Sequence, residues 1–188
     1  QEDVGDGSAM RGRAWPRPQY NSGGGGDAQF KLADCAGMRS RAPGGIGDAF
    51  RTVGATPTAV TATESYSALE SGVVDSVAFA QHAHLAYGTI DVAKWWTGNL
   101  NPGTVNCPVV VNIDAYNALT DTQRAALDGS IDEALAHYLV TYGEVFDKWD
   151  SVLKEKGVEK IVYDDAQISA FQDLSRKHLS RRRRRRKD

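Results

Sequence analysis

Three groups of side chains have types and spacings that could do chemistry. They are His82 and His84, Arg39 and Arg41, and the arginine run Arg181 to Arg186. An H-x-H pair on a strand would turn both imidazoles to one side, as a zinc site requires. No third ligand stands close by, since Cys107 is distant in sequence and neither His137 nor His178 has an evident partner. His82 and His84 are therefore read as polar loop or cleft residues, with a metal-dependent enzyme kept as the alternative. A guanidinium can offer two parallel charge-assisted hydrogen bonds to a carboxylate, a fork that lysine cannot copy. The residues alone leave Arg41 a surface arginine like Arg39. Gly44, Gly45 and Gly47, in P-G-G-I-G before a helix, could cradle an anion at that helix N-terminus. The arginine run would attract phosphates in a salt-dependent way. It has no interleaved aromatic residues for base stacking, so a solvated tail is the plain reading and nucleic-acid binding the second alternative. No G-x-S-x-G, Walker loop or dinucleotide fingerprint occurs. Cys35 and Cys107 neither require nor exclude a bridge, and are read as separate buried thiols.

The elements that must position these groups follow from hydropathy patterning. Residues 1–27 contain GGGG at Gly23 to Gly26, prolines and scattered charge without apolar periodicity, and are expected to be disordered. Residues 38–42 read as a strand, 43–54 as a glycine turn and short helix, and 55–62 as β-prone. Thr61 and Glu64 have capping-box spacing, so a helix starts near Ala62 or Thr63 and ends at Gly72. Residues 73–79 (VVDSVAF) form a strand buried on both faces. This alternation implies a mostly parallel sheet. Residues 81–88 are a loop or helical turn, 90–96 ambiguous, 107–112 a strand and 113–119 a short helix. Thr120 then caps a long helix with Gln123 three residues on. Apolar residues recur from Leu127 to Val152 in steps of three and four, and Gly157 stops the run. About 36 residues at roughly 1.5 Å each give a rod of about 54 Å, which suits a coiled coil or a bridge across two domains. Residues 158–163 return as a strand, and Asp164 or Asp165 caps a last helix through Leu174.

Charge is segregated. The chain carries −2 overall, but residues 176–188 hold nine Lys or Arg and one Asp, which leaves −10 on residues 1–175. An acidic body repels nucleic acid and anionic lipid. No apolar run reaches eighteen residues, and no basic-then-apolar segment opens the chain, so no signal peptide is expected within it.

Four stretches, LADCAGMRSRAPGG, GATPTAV, TESYSALESGVVD and VVVNIDAYNALTDTQRAAL, stand in an order and spacing that resemble one family. They resemble the solute-binding proteins of tripartite ATP-independent periplasmic (TRAP) transporters, of the C4-dicarboxylate-binding type, over residues 32 to about 174. The resemblance covers about the second half of such a protein. It implies an α/β, periplasmic-binding-protein-like fold: a second α/β lobe plus a long bridging helix, in an incomplete two-lobe fold. Residues 28–175 would be the solute-binding lobe, with the bridging helix at about 121–156. Segments 1–27 and 176–188 would be disordered flanks without counterpart in the family.

The same resemblance implies function and site residues. The chain would be a non-enzymatic binding protein that captures a small organic acid in the periplasm for a TRAP permease, without cofactor or metal. It would recognise no specific nucleic acid, and could dimerise through the long helix. Arg41 aligns with the family's carboxylate-pairing arginine. Phe79 stands where relatives carry Asn or Trp, and could wall the pocket. Ala62 stands where some relatives carry Phe. Relatives with Glu at the position of Ala78 can reach a ligand-associated metal, and alanine departs from that pattern. Ala62 with Phe79 leans toward the branch taking short 2-oxo or 2-hydroxy monocarboxylates. Tyr66, Trp95, Trp96 and Asp75 are read as packing or turn residues, and Tyr138, Tyr142, Phe146 and Trp149 as core.

Overall fold

The computed structural model describes residues 2–3, 8–11, 20–28, 31–104 and 109–185. In chain order these form β1 (Glu2–Asp3), β2 (Ser8–Arg11), β3 (Asn21–Gly24), β4 (Arg39–Arg41), α1 (Gly44–Arg51), β5 (Thr56–Thr58), α2 (Ser65–Glu70), β6 (Ser76–Phe79), α3 (Gln81–Ala86), β7 (Trp95–Thr97), β8 (Val109–Asn112), α4 (Ile113–Asn117), α5 (Asp121–Lys156), β9 (Glu159–Ile161) and α6 (Asp165–Arg185). Among the described residues no helix is long and apolar enough to cross a membrane. The chain divides into two compact units, Gln1–Arg17 with Val105–Asp147, and Pro18–Thr104 with Lys148–Asp188. The division falls inside α5, so the expected single lobe 28–175 is shared between them.

The first unit holds a three-stranded sheet in the order β1-β2-β8, with β2 antiparallel to both neighbours. Asn112 caps α4 by accepting from the Ala115 N–H at 3.0 Å. The capping box of α5 forms as its sequence requires. The Thr120 N–H donates to Gln123 Oε1 at 2.9 Å, and the Gln123 N–H donates back to Thr120 Oγ1 at 3.3 Å. Thr120→Ala should cost about 1 kcal/mol, read as a lower midpoint in urea unfolding with an unchanged slope. Of the aromatic residues expected as core, Trp149 is buried, in the second unit. Tyr138 stacks on Tyr142 at 5.7 Å, but Phe146 is 57% exposed.

The second unit is built on a six-stranded sheet in the order β5-β4-β6-β3-β7-β9. β4 runs parallel to β5 and β6, and β7 parallel to β9, as the strand–helix alternation implies. The sheet is nevertheless mixed, because β3 lies at its centre, antiparallel to both β6 and β7. This corrects the expected disorder of 1–27 at residues 21–24, which are buried. Glycine shows no apolar period, yet here it is the residue the site demands. A Cβ on Gly24 would sit 2.1 Å from Trp95 Cζ2, and one on Gly23 would sit 3.3 Å from His84 Cε1. The strand omits side chains so that a tryptophan and a histidine can cross it. Two polar groups of the strand are paired with Thr97: Asn21 Nδ2 donates to its carbonyl at 2.7 Å, and the Ser22 N–H to its Oγ1 at 2.9 Å.

Helix ends in this unit follow local chemistry. The Thr61 N–H and hydroxyl both donate to Glu64 Oε2, at 3.3 and 2.6 Å, and α2 begins just after, at Ser65. α5 ends in a Schellman turn. Gly157 takes φ +67°, and the Val158 N–H donates to the Leu153 carbonyl at 2.8 Å. Asp164 caps α6 through the Gln167 N–H at 2.8 Å. That helix runs on to Arg185, past the expected end at Leu174, so the basic segment is helical rather than disordered over 176–185. Cys35 is buried and free, and burial raises its thiol pKa to about 11. Cys107 lies outside the described residues.

Candidate functional site

Arg41 is the last residue of β4, and the sheet register places it beside Val77 of β6. It is 9% exposed, so most of its surface is shielded from water. Nε donates to the Val60 carbonyl at 3.1 Å and Nη1 donates to the Ala78 carbonyl at 3.4 Å. Its Cζ lies 4.4 Å from the centre of the Phe79 ring. Among the described residues no carboxylate pairs with it. Arg39, two residues earlier in the same strand, is by contrast held by Asp75, through Nη2 to Oδ1 at 2.6 Å and Nε to Oδ2 at 3.0 Å. Burial pushes the Arg41 pKa below its ordinary value, while the neighbouring Tyr20 and Tyr87 hydroxyls push it back up. Arginine remains charged at neutral pH. Among the described residues two of its five N–H donors find acceptors, and three are left for something else.

That something has room. Arg41 lines a cleft of about 940 Å³ at the carboxyl ends of β4 and β5, together with Gly44 and Gly45 of α1 and with Thr58, Thr61 and Glu64. The carboxyl ends of parallel strands are where open α/β sheets bind ligands. Pro43 stands before α1 in extended geometry with no side-chain cap. The first-turn N–H groups of a helix lack intrahelical acceptors, and a Cβ at Gly44 or Gly45 would meet nothing within 4 Å. A ligand therefore meets bare, partly positive backbone there. Arg51, the cleft's other cation, is committed to Asp48 at 2.7 Å.

The structure brings together four of the sequence-predicted positions. Arg41, Ala78 and Phe79 are in direct contact, and Ala62 packs on the apolar cluster of Ala68, Leu69, Val74 and Val77 that holds Phe79. Phe79 is only 3% exposed, so its ring contacts the arginine rather than walling the cleft. Tyr20 and Tyr87 were not legible as neighbours of Arg41. They come from segments 21 residues before it and 46 after it in the chain, and no motif joins them. Tyr66 turns away, its hydroxyl donating to Glu70 at 3.1 Å. Trp95 and Trp96 are core, and Trp96 meets Trp149 edge-on at 5.2 Å.

His82 and His84 do not form a metal pair. They lie on the helix α3, not on a strand, and a helical step of two residues turns side chains to different sides. Among the described residues no cluster of three or more potential metal ligands exists. His84 is fully buried. Its Nε2 is 3.3 Å from the Asn21 carbonyl, which can only accept, so Nε2 carries the proton and Nδ1 accepts from Thr89 Oγ1 at 2.8 Å. Burial lowers its pKa from 6.5 to about 4. The unfolded chain therefore takes up a proton that the folded unit refuses, between pH 6.5 and about 4. Stability should be full above pH 6.5 and fall across that window. In a His84→Gln variant that window should flatten, as read by thermal unfolding at each pH.

Residues 30–184 match the family described as bacterial extracellular solute-binding protein, family 7. The chain belongs to that family. Solved structures share its fold. A TRAP periplasmic solute-binding protein from Pseudomonas putida F1, with bound D-glucuronate, matches with a TM-score of 0.83 at 21% identity, over 99% of this chain and 60% of that one. One from Rhodoferax ferrireducens, with bound malonate, gives 0.78 at 20% identity, over 91% and 54%. One from Pseudomonas aeruginosa PAO1, with bound L-malate, gives 0.78 at 14% identity, over 93% and 61%. The family 7 chain thus spans little more than half the length of these proteins. No curated protein matches it. Neither the metal-dependent reading nor the nucleic-acid reading finds support in the family or in these structures.

Proposed function

We propose that this family 7 chain carries the acid-gripping side of a periplasmic solute-binding protein. Such a protein captures a small organic acid and delivers it to a TRAP-type permease, without catalysing a reaction. The observation that carries this reading is the Arg41 guanidinium. It is buried, it has no carboxylate partner among the described residues, and three of its N–H groups are uncommitted beside a cleft. A cation kept in that state is stabilised by an incoming anion, and a carboxylate matches its planar fork. The bare N-terminus of α1 in the same cleft adds favourable potential for the same charge. Relatives of the same fold hold malonate, L-malate and D-glucuronate, which all carry a carboxylate.

Titration calorimetry of the full-length protein with malonate, L-malate and D-glucuronate tests this, wild type beside Arg41→Ala. Binding of at least one acid by the wild type, lost in the variant, is the expected result. Equal binding in both proteins, or binding of none of the acids by the wild type, would overturn the reading.

A further inference from the structure

We infer that Phe79 is a positioning residue: it acts on the ligand through Arg41, by fixing the plane of the guanidinium, and does not touch the acid itself. The inference rests on the carboxylate reading of Arg41 for its functional meaning, but its geometry stands independently.

A carboxylate fork works only if the guanidinium plane is held in one orientation. The hydrogen bonds to Arg41 do not suffice for that. Nε is well placed at 3.1 Å from the Val60 carbonyl, but the Nη1 contact with the Ala78 carbonyl is long, at 3.4 Å. One good bond leaves the group free to swing about it. The Phe79 ring supplies the missing restraint. It lies 4.4 Å below Cζ, within cation–π distance, and the ring, 3% exposed, is itself shielded from the water that would weaken the attraction.

The ring can serve as a fixed platform because it is itself held from several directions. Tyr87 stacks on it at 5.3 Å with an interplanar angle of 20°. The imidazole of His84 meets it edge-on at 5.7 Å and 82°. Leu69, Val74 and Val77 pack around it in a core cluster. With 3% exposure, Phe79 has almost no surface to offer a ligand. Its backbone neighbour Ala78 supplies the carbonyl that receives Nη1, so one dipeptide provides both the acceptor and the platform.

The test separates ring electrostatics from ring volume. Phe79 is replaced in the full-length protein by 4-fluoro-, 3,5-difluoro- and 3,4,5-trifluorophenylalanine, which drain the negative face of the ring while nearly keeping its shape. The first readout is the nitrogen NMR signals of the Arg41 guanidinium without ligand. Separate, slowly exchanging Nη signals are expected in the wild type, with exchange quickening in step with fluorination. The second is the affinity for malonate, L-malate and D-glucuronate. It should weaken in the same order, by about tenfold at the trifluoro step if the stack contributes as such contacts do. Thermal midpoints should change little along the series, whereas a merely structural role would leave the Arg41 signals as they are. Unchanged Nη exchange across the series overturns the inference. If Nη exchange responds but acid affinity is the same with Arg41→Ala as in the wild type, the platform stands and the carboxylate reading falls.

Discussion

Arg41→Ala is expected to weaken acid binding by about 100-fold or more, while leaving the fold intact. Removing one partner of a buried, hydrogen-bonded charge pair costs roughly 2–5 kcal/mol, and each 1.4 kcal/mol is tenfold in affinity. The apo protein loses little by the change. The buried cation carries a desolvation cost that the variant no longer bears. Against that, the carbonyls of Val60 and Ala78 each lose one donor. Arg41→Lys is the more informative variant. It keeps the charge but replaces the planar fork with a compact ammonium, which cannot reach Val60, Ala78 and a carboxylate together. It should recover only part of the affinity, remaining about tenfold weaker than wild type. Affinity from calorimetry and stability from thermal unfolding are measured on the same samples. A lysine variant that binds as tightly as wild type would mean that Arg41 contributes charge alone, and the fork argument would fail.

The long helix shows what kind of element a sequence makes legible. Its start and stop are written in residues that act locally. The Thr120–Gln123 box and Gly157 bound Asp121–Lys156, as their spacing implies. The parallel set β4, β5 and β6 is legible for a similar reason, since short apolar runs alternate with capped helical turns. What sequence patterning misses is set by contacts between distant segments. Asn21–Gly24 has no period, and its burial makes sense only once Trp95 and His84 are seen crossing it. The H-x-H motif misleads for a related reason: its meaning depends on whether the backbone is strand or helix, and Ala80 opens a helix there.

The site divides along the same line. Arg41 is singled out only by resemblance, because Arg39 and Arg41 have equal standing in the strand pattern. What separates them is the partner each meets. Arg39 faces Asp75 and is neutralised by it, whereas Arg41 faces carbonyls and an aromatic ring and keeps its charge unpaired by any described carboxylate. A sequence lists both arginines, but it does not list which of them meets a carboxylate. The same holds for Phe79, which a strand pattern marks as core and a motif comparison marks as pocket. In the structure it is core, and reaches the cleft through the arginine lying on it.

Gly24→Ala should destabilise the second unit by about 3 kcal/mol, the upper part of the range for overpacking a well-filled core. The added methyl would lie 2.1 Å from Cζ2 and 2.4 Å from Cε2 of Trp95, and 2.8 Å from the Asp75 carbonyl oxygen. None of these atoms yields easily. Trp95 is 2% exposed and its strand pairs with both β3 and β9, while the Asp75 carbonyl accepts the Gly25 N–H at 3.2 Å. Relief by moving β3 is also costly, because that strand pairs with β6 at four positions. Gly26→Ala is the control, since a Cβ there would meet nothing within 4 Å. It changes the same glycine run by the same methyl group and should shift stability by only a few tenths of a kcal/mol. Chemical unfolding monitored by tryptophan fluorescence follows the buried indoles of this unit, Trp95, Trp96 and Trp149. Similar losses for the two variants would mean that the glycines act through chain flexibility, and the account of β3 as a strand stripped bare to admit an indole would have to be abandoned.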